Sequence, residues 1–223
     1  WPLCRGTLTP TGDHHTFIEL FHRITSALCG PLALALLVQG FRTFPKGHPV
    51  RKYAVWTFVL ILTEGLFGAL LVKLRKVAYD TSIDRAYLMA MHLCNTFALL
   101  FAALGVAESV DSDTRGERHP RRHRLEMWIA FAGMMLVGTT GAVTALGDTL
   151  FPSQDFSTSL LADFDAASHP FLQLRAYHPL FALATAAYVL SLATRRWASG
   201  DPLLRNASAA LSVVVVVQVG FGF

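Results

Sequence analysis

The 223-residue chain has few charged residues, because Asp, Glu, Lys and Arg together make up only 15% of it. A soluble domain carries about 25% charged residues, so this shortage argues against an ordinary soluble enzyme. Cysteine is also scarce, with three residues, and neither these nor the histidines and carboxylates have the spacing of a zinc site. The chain is instead 53% hydrophobic and contains 16 Phe. That is too much apolar surface for a disordered chain.

Long apolar runs divide the chain into candidate membrane spans. A hydrocarbon core about 30 Å thick requires roughly 20 mostly apolar residues in a helix. Five such runs lie at about 17–40, 53–73, 86–107, 126–147 and 172–194. A sixth begins near Asn206 and continues to the last residue. The sequence therefore predicts an all-α, polytopic transmembrane helical bundle.

The charges between the spans predict the orientation of the chain. The net charge is +4, but the basic residues form short clusters between apolar runs, which is typical of membrane topology rather than of a nucleic-acid-binding face. The first, third and fifth loops are basic, whereas the fourth loop, 148–171, contains four Asp and no Lys or Arg. By the positive-inside rule, the N-terminal loop with Cys4 lies on the outer side of the membrane. We expect this membrane to be the cell inner (plasma) membrane. We expect no nucleic-acid partner.

The second half of the chain repeats features of the first half. Residues 18–23 (IELFHR) open the first span, and residues 174–179 (LRAYHP) open the fifth span at an offset of 156. Residues 64–68 (EGLFG) and 218–222 (QVGFG) match at an offset of 154. These matches predict six of the eight spans of two parallel four-helix repeats, without the first and the last span. The predicted repeats occupy residues 1–125 and 126–223.

Ionisable residues inside the spans are candidates for function, because they are costly in a bilayer. They are Glu19, His22, Arg23, Glu64, His92 and His178. His22 and His92 lie on spans of opposite direction at similar predicted depth, where two imidazoles could ligate a haem iron. Histidines that only pack helices together are the alternative. Three histidines on three spans, including His178, favour haem iron ligation.

Charged residues beside these histidines, and one cysteine, each have two candidate roles. Glu19, three residues before His22, could be a general base or the ion-pair partner of Arg23 at i+4. Arg23 and Arg175 could bind haem propionates or could extend to the membrane surface. Cys4, in the outer loop, is a reactive thiol or has a disulfide partner elsewhere.

Three motifs together resemble the haem A synthase family. They are Trp1-Pro2-Leu3-Cys4, then Glu19-x-x-His22-Arg23 with His92 on a later span, and the stretch 138–152, GTTGAVTALGDTLFP. Their order agrees with the family over nearly the whole chain. The plan of eight spans in two repeats agrees as well, and this chain then lacks the first and last transmembrane helices.

The resemblance implies an oxidoreductase that converts the C8 methyl group of haem O to the formyl group of haem A. Water supplies the oxygen, and the electrons leave to an acceptor. The resemblance also implies that His22 and His92 hold the substrate haem, while His178 is one ligand of a haem b cofactor. It assigns catalysis to Glu19, and it matches Cys4 to the second cysteine of an outer-loop pair.

The same resemblance implies partners, and two other classes of protein compete with it. Haem A is made for cytochrome oxidase, so haem O synthase and oxidase assembly factors are expected partners, with a homo-oligomer as a further expectation. A dihaem b-type electron-transfer cytochrome explains the histidines equally well but leaves Glu19 and Cys4 without a role. A transporter with inverted repeats fits less well, because the predicted repeat is parallel.

Overall fold

The computed structural model of the chain describes residues 14–77, 80, 82–115, 121–152, 155–165, 167–168, 170–198 and 202–222. These ranges contain eight helices: α1 (His14–Thr43), α2 (Pro49–Lys73), α3 (Ile83–Arg115), α4 (Arg121–Leu150), α5 (Phe156–Phe164), α6 (Pro170–Arg175), α7 (His178–Trp197) and α8 (Pro202–Gly222). The predicted all-α class is confirmed. Cys4 lies outside the described residues.

Five of these helices are long and apolar enough to cross a membrane. They correspond to the first four predicted spans and the last one, and their bounds are Phe17–Thr43, Pro49–Lys73, Ile83–Ser112, Arg121–Asp148 and Pro202–Gly222. Large apolar side chains point outward from them, as Leu32 (67% exposed) and Val214 (63%) illustrate. Each such side chain favours hydrocarbon over water, at about 25 cal/mol per Å² of apolar surface. The chain is therefore a polytopic helical membrane protein.

The fifth predicted span, 172–194, is not one continuous helix. It is divided between α6 and α7, which are separated by Ala176 and Tyr177. Pro179 has no N–H group, so it cannot donate the helical hydrogen bond to the carbonyl of Arg175. The regular pattern resumes where the Phe181 N–H donates to the Tyr177 carbonyl at 3.1 Å. The prediction was therefore wrong about continuity at the start of this span, and α7 is not among the five membrane-length helices.

The chain forms two compact units, which share α3 between them. The first unit comprises Trp1–Lys73 and Ala98–Arg118, and the second comprises Leu74–Phe97 and His119–Phe223. The repeats predicted over 1–125 and 126–223 stay a prediction.

The core of the first unit lies where α1, α2 and the second half of α3 pack together. Val50 and Ala54 of α2 are almost completely buried against Val106 of α3. Gly105 permits this close approach, since a Cβ atom at that position would stand only 2.6 Å from the Tyr53 ring. The interface is thus matched in shape, with a ring filling the space that glycine leaves.

In the second unit, glycines line the surface that α4 presents to its neighbours. A Cβ atom on Gly133 would stand 2.9 Å from Thr185 of α7, and one on Gly138 would overlap the ring of Phe97 of α3. Farther along α4, a Cβ atom on Gly141 would stand 3.1 Å from the His178 ring. Small residues at such positions allow membrane helices to approach closely. This packing brings His178 against α4.

Candidate functional site

The candidate site in the second unit is built around His178, the first residue of α7. Its side chain is half-buried, and its Nδ1 atom lies 3.0 Å from the hydroxyl oxygen of Thr140 on α4. The same hydroxyl lies 2.8 Å from the carbonyl oxygen of Leu136 and 3.2 Å from that of Val137. The imidazole is therefore held through one nitrogen by a residue 38 positions earlier in the chain.

The other ring nitrogen of His178 is suited to a metal. Within the residues that the structure describes, Nε2 makes no hydrogen bond. Metal-ligating histidines usually use one nitrogen for the metal and the other for a hydrogen bond to the protein. The donor set at His178 thus fits one axial ligand of a haem iron.

Arg175, three residues before His178, connects three helices. The residue is 8% exposed; Nε donates to Asp163 of α5 at 2.7 Å, and NH1 pairs with Asp148 of α4. Burial opposes the charged form, but the hydrogen bonds to Asp163 and Asp148 outweigh it and raise the pKa of Arg175 above its ordinary value. The structure thus supplies this guanidinium with two protein carboxylates, and propionate binding by Arg175 stays a prediction.

A second charged cluster lies near the other end of the α4–α7 pair. Glu126 of α4 accepts a hydrogen bond from Arg195 at 3.2 Å and another from Arg196 at 3.5 Å. The Tyr188 hydroxyl donates to the backbone carbonyl of Glu126 at 3.4 Å. The α4–α7 pair is therefore joined by polar contacts at this end as well as by the His178–Thr140 contact.

In the first unit, the predicted site residues lie near the start of α1. Glu19 and Arg23 form the i,i+4 ion pair that sequence offered as one of two roles for Glu19. The Glu19 side chain is 54% exposed and that of Arg23 18%, and His22 between them is exposed. The ion pair is confirmed, whereas catalysis by Glu19 and iron ligation by His22 stay predictions.

His92 lies on the part of α3 that belongs to the second unit. It is half-buried, with its Nδ1 atom inaccessible to solvent, and its carbonyl accepts the Thr96 hydroxyl at 3.0 Å. Two residues after His92, Cys94 Sγ lies 3.3 Å from the hydroxyl of Thr139 on α4. The pairing of His92 with His22 around one haem stays a prediction.

Sequence reasoning did not find the residues that hold His178 and Arg175 in place. Thr140 and Gly141 lie inside the motif at 138–152 but had no role assigned to them, and Asp148 and Asp163 were interpreted only as loop charges. Pro179, directly after a span histidine, was the available signal for a helix break.

The fold and the site define a class of protein, a polytopic helical membrane protein with a candidate haem-ligating histidine. Within that class, the sequence profile of the cytochrome oxidase assembly protein family matches residues 9–223. The chain belongs to this family, and it is a multi-pass membrane protein.

Similar proteins carry two different names. A protein named protoheme IX farnesyltransferase from Thermus thermophilus is 34% identical over 229 residues, which cover 97% of this chain and 38% of that protein. Proteins named heme A synthase are 39% identical over 114 residues in Symbiobacterium thermophilum and over 72 residues in Geobacillus kaustophilus. These two matches cover 48% and 31% of this chain, and 35% and 22% of those proteins. The chain thus spans less than two-fifths of the length of these relatives. No solved structure matches it.

Proposed function

We propose that this chain acts in haem A synthesis, as part of an enzyme that oxidises the C8 methyl group of haem O to a formyl group. The family match over residues 9–223 and the relatives named heme A synthase support this proposal. The observation that carries it in the structure is His178. Its Nδ1 is hydrogen-bonded to Thr140, while its Nε2 makes no hydrogen bond to any described residue. That is the arrangement of a metal-ligating histidine.

The proposed reaction balances without molecular oxygen. A methyl group and one water give a formyl group, four protons and four electrons. The water supplies the oxygen atom, and the electrons pass to a membrane electron acceptor. Haem b, ligated by His178, would supply one-electron redox chemistry when bound.

Residues near the start of α1, together with His92 on α3, are proposed to bind the substrate and to accept protons. His22, with His92, would hold the iron of haem O, and this leaves the methyl group on the porphyrin rim accessible. Glu19 lies about one helical turn before His22, on nearly the same face of α1. Its carboxylate, oriented by the ion pair with Arg23, would accept a proton during oxidation. Arg23 itself would bind a haem propionate.

The membrane orientation, the outer-loop cysteine and the partners complete the proposal. The start of α1 and the end of α4 lie toward the outer side of the inner membrane, in accordance with the positive-inside rule. Cys4 is proposed to be one member of an outer-loop cysteine pair. Haem O synthase, as the source of the substrate, and oxidase assembly factors are the proposed partners.

Pigment analysis tests the function and separates it from its competitors. The protein is produced in cells that make haem O but lack their own haem A synthase, and the extracted haems are identified by mass. Haem A together with haem b is expected. Haem b alone would instead indicate an electron-transfer cytochrome, and conversion of haem B to haem O in cells lacking that activity would indicate farnesyl transfer.

Two matched variants test the proposed base. Glu19→Gln removes the carboxylate and should lower haem A formation by about 10²–10⁴-fold, the usual contribution of general acid–base catalysis. Glu108→Gln changes another exposed glutamate, near the end of α3, and should leave haem A formation unchanged. Equal haem A yields from the two variants would remove Glu19 from the catalytic machinery.

A further inference from the structure

We propose that Thr140 is a positioning residue that fixes the tautomer of His178, and that Gly141 provides the space for the ring. Thr140, Gly141 and His178 all belong to the second unit, and their contacts determine the tautomer. Its consequence for haem iron rests on the proposed function.

A backbone carbonyl is a closer acceptor than the imidazole for the one proton of the Thr140 hydroxyl. Its oxygen lies 2.8 Å from the Leu136 carbonyl, one turn earlier on α4, and 3.2 Å from that of Val137. A carbonyl can only accept, so the threonine proton is directed to the backbone. The threonine oxygen then acts as acceptor toward His178 Nδ1 at 3.0 Å.

The direction of this hydrogen bond determines which ring nitrogen carries the proton. A neutral imidazole has one N–H donor and one acceptor nitrogen. If Nδ1–H of His178 donates to Thr140, Nε2 has the free lone pair, which is the form that binds a metal. An Nδ1–H that donates a hydrogen bond also makes Nε2 a stronger electron donor.

The neighbouring glycine positions the ring beside this acceptor. A Cβ atom on Gly141 would stand 3.1 Å from Cε1 of His178 and 3.7 Å from each ring nitrogen. Cε1 lies between the two nitrogens, so a side chain here would displace the ring from Thr140 and from any metal together. Thr140 and Gly141 therefore act as a pair, the first as acceptor and the second as free space.

The first experiment reads the tautomer directly, without activity. The full chain is labelled with ¹⁵N-histidine, placed in lipid bilayers in its haem-free form, and measured by solid-state NMR. The signal of His178 is assigned by its loss in His178→Gln. We expect a protonated Nδ1 and an unprotonated Nε2, and a wild-type ring protonated on Nε2 would overturn the inference.

Three variants show whether the Thr140 hydroxyl is the cause of this tautomer. Thr140→Val keeps the shape but removes the acceptor, so the Nε2–H tautomer should gain population, whereas Thr140→Ser should keep the wild-type spectrum. Thr144→Val is the control, because the Thr144 hydroxyl donates to the Thr140 backbone carbonyl, at 3.0 Å, and not to the histidine. A Thr140→Val spectrum identical to that of Thr144→Val contradicts a role for the hydroxyl.

The second experiment uses the protein loaded with haem. Loss of the acceptor should raise the haem b midpoint potential and weaken haem binding on the order of 10–100-fold, as removal of such partners does at other metal sites. Thr140→Ser should restore both values. If the tautomer is as expected but His178→Gln leaves the haem content unchanged, the inference about Thr140 stands and the proposed haem site at His178 fails.

Discussion

His22 and His178 occupy corresponding positions in the predicted repeat but have different surroundings. His22 lies within the continuous helix α1, and its side chain is exposed. His178 begins a helix directly after a break, is half-buried, and contacts α4 through Thr140 and Gly141. One histidine is placed by its own helix, and the other is also held by a second helix.

The two histidines also differ in the charge of the residue three positions earlier, which is acidic before His22 and basic before His178. Glu19 pairs only with Arg23 on its own helix among the described residues, and it is more than half exposed. Arg175 is buried and joins two aspartates on two other helices. A substrate must enter and leave, whereas a cofactor stays bound. Under the proposed function, the local arrangement at His22 suits the substrate and the fixed one at His178 suits the cofactor.

Removal of each histidine is expected to give the largest effect and to separate the two sites. His178→Ala should abolish bound haem b, because it removes an axial ligand. His22→Ala should retain haem b and lose haem A formation. His48→Ala, between α1 and α2, is the control for loss of a histidine as such. Difference spectra of the reduced and oxidised proteins measure the haem b content. An unchanged haem b content in His178→Ala would contradict the proposed difference between the two histidines.

Substitution of the two arginines compares a buried charge with a local pair. Arg175→Met leaves Asp163 without its buried partner, and such a loss costs about 3–5 kcal/mol of unfolding free energy. Arg23→Met disrupts a pair whose carboxylate is half exposed, so the expected loss is within about 1 kcal/mol. Unfolding in mixed SDS micelles measures both.

A double variant shows that the effect at Arg175 comes from charge. Asp163→Asn together with Arg175→Met removes the stranded carboxylate and should recover part of the lost stability. Equal losses of unfolding free energy in Arg175→Met and Arg23→Met would contradict the difference between the buried ion pair and the local one.

Two glycine substitutions compare the packing near each histidine. Gly141→Ala places a methyl group 3.1 Å from the His178 ring, and overpacking costs about 1–3 kcal/mol. The helix propensity of Ala offsets about 1 kcal/mol of this, so a net loss of up to about 2 kcal/mol is expected. Gly30→Ala on α1 meets no described atom within 4 Å and should gain up to about 1 kcal/mol. Thermal unfolding followed by circular dichroism checks these opposite signs, and equal signs would contradict the difference in packing.

Sequence predicted the features that depend on local properties. An apolar run of about 20 residues is visible in any window, so α1 to α4 and α8 were found. The i,i+4 pair of Glu19 and Arg23 was also accessible, because helix geometry alone brings those side chains together. The break before α7 has a local signal in Pro179, but hydropathy alone does not register a missing N–H, so the break was not predicted.

Features that depend on distant parts of the chain were not accessible in the same way. The contact of Thr140 with His178 joins residues 38 positions apart, and a threonine within an apolar helix most often bonds its own backbone. Only the packing of α4 against α7 makes that hydroxyl a partner for the histidine.

The smallest expected effect is a pH dependence of the segment that carries Asp163. Asp155 is the N-cap of α5, and its carboxylate accepts the Thr158 N–H at 2.7 Å and the Ser157 hydroxyl at 2.9 Å. These hydrogen bonds, first of all those with Thr158, lower the pKa of Asp155 below its ordinary 3.8. A lowered pKa means that the cap stabilises α5 fully above the ordinary value and is lost as the pH falls through the folded value. Hydrogen exchange at the Thr158 amide should therefore accelerate in acid, and Asp155→Asn should remove that dependence while the amide of Phe181 on α7 stays unchanged. Exchange that is independent of pH, after correction for the intrinsic rate, would show that the carboxylate does not hold this helix.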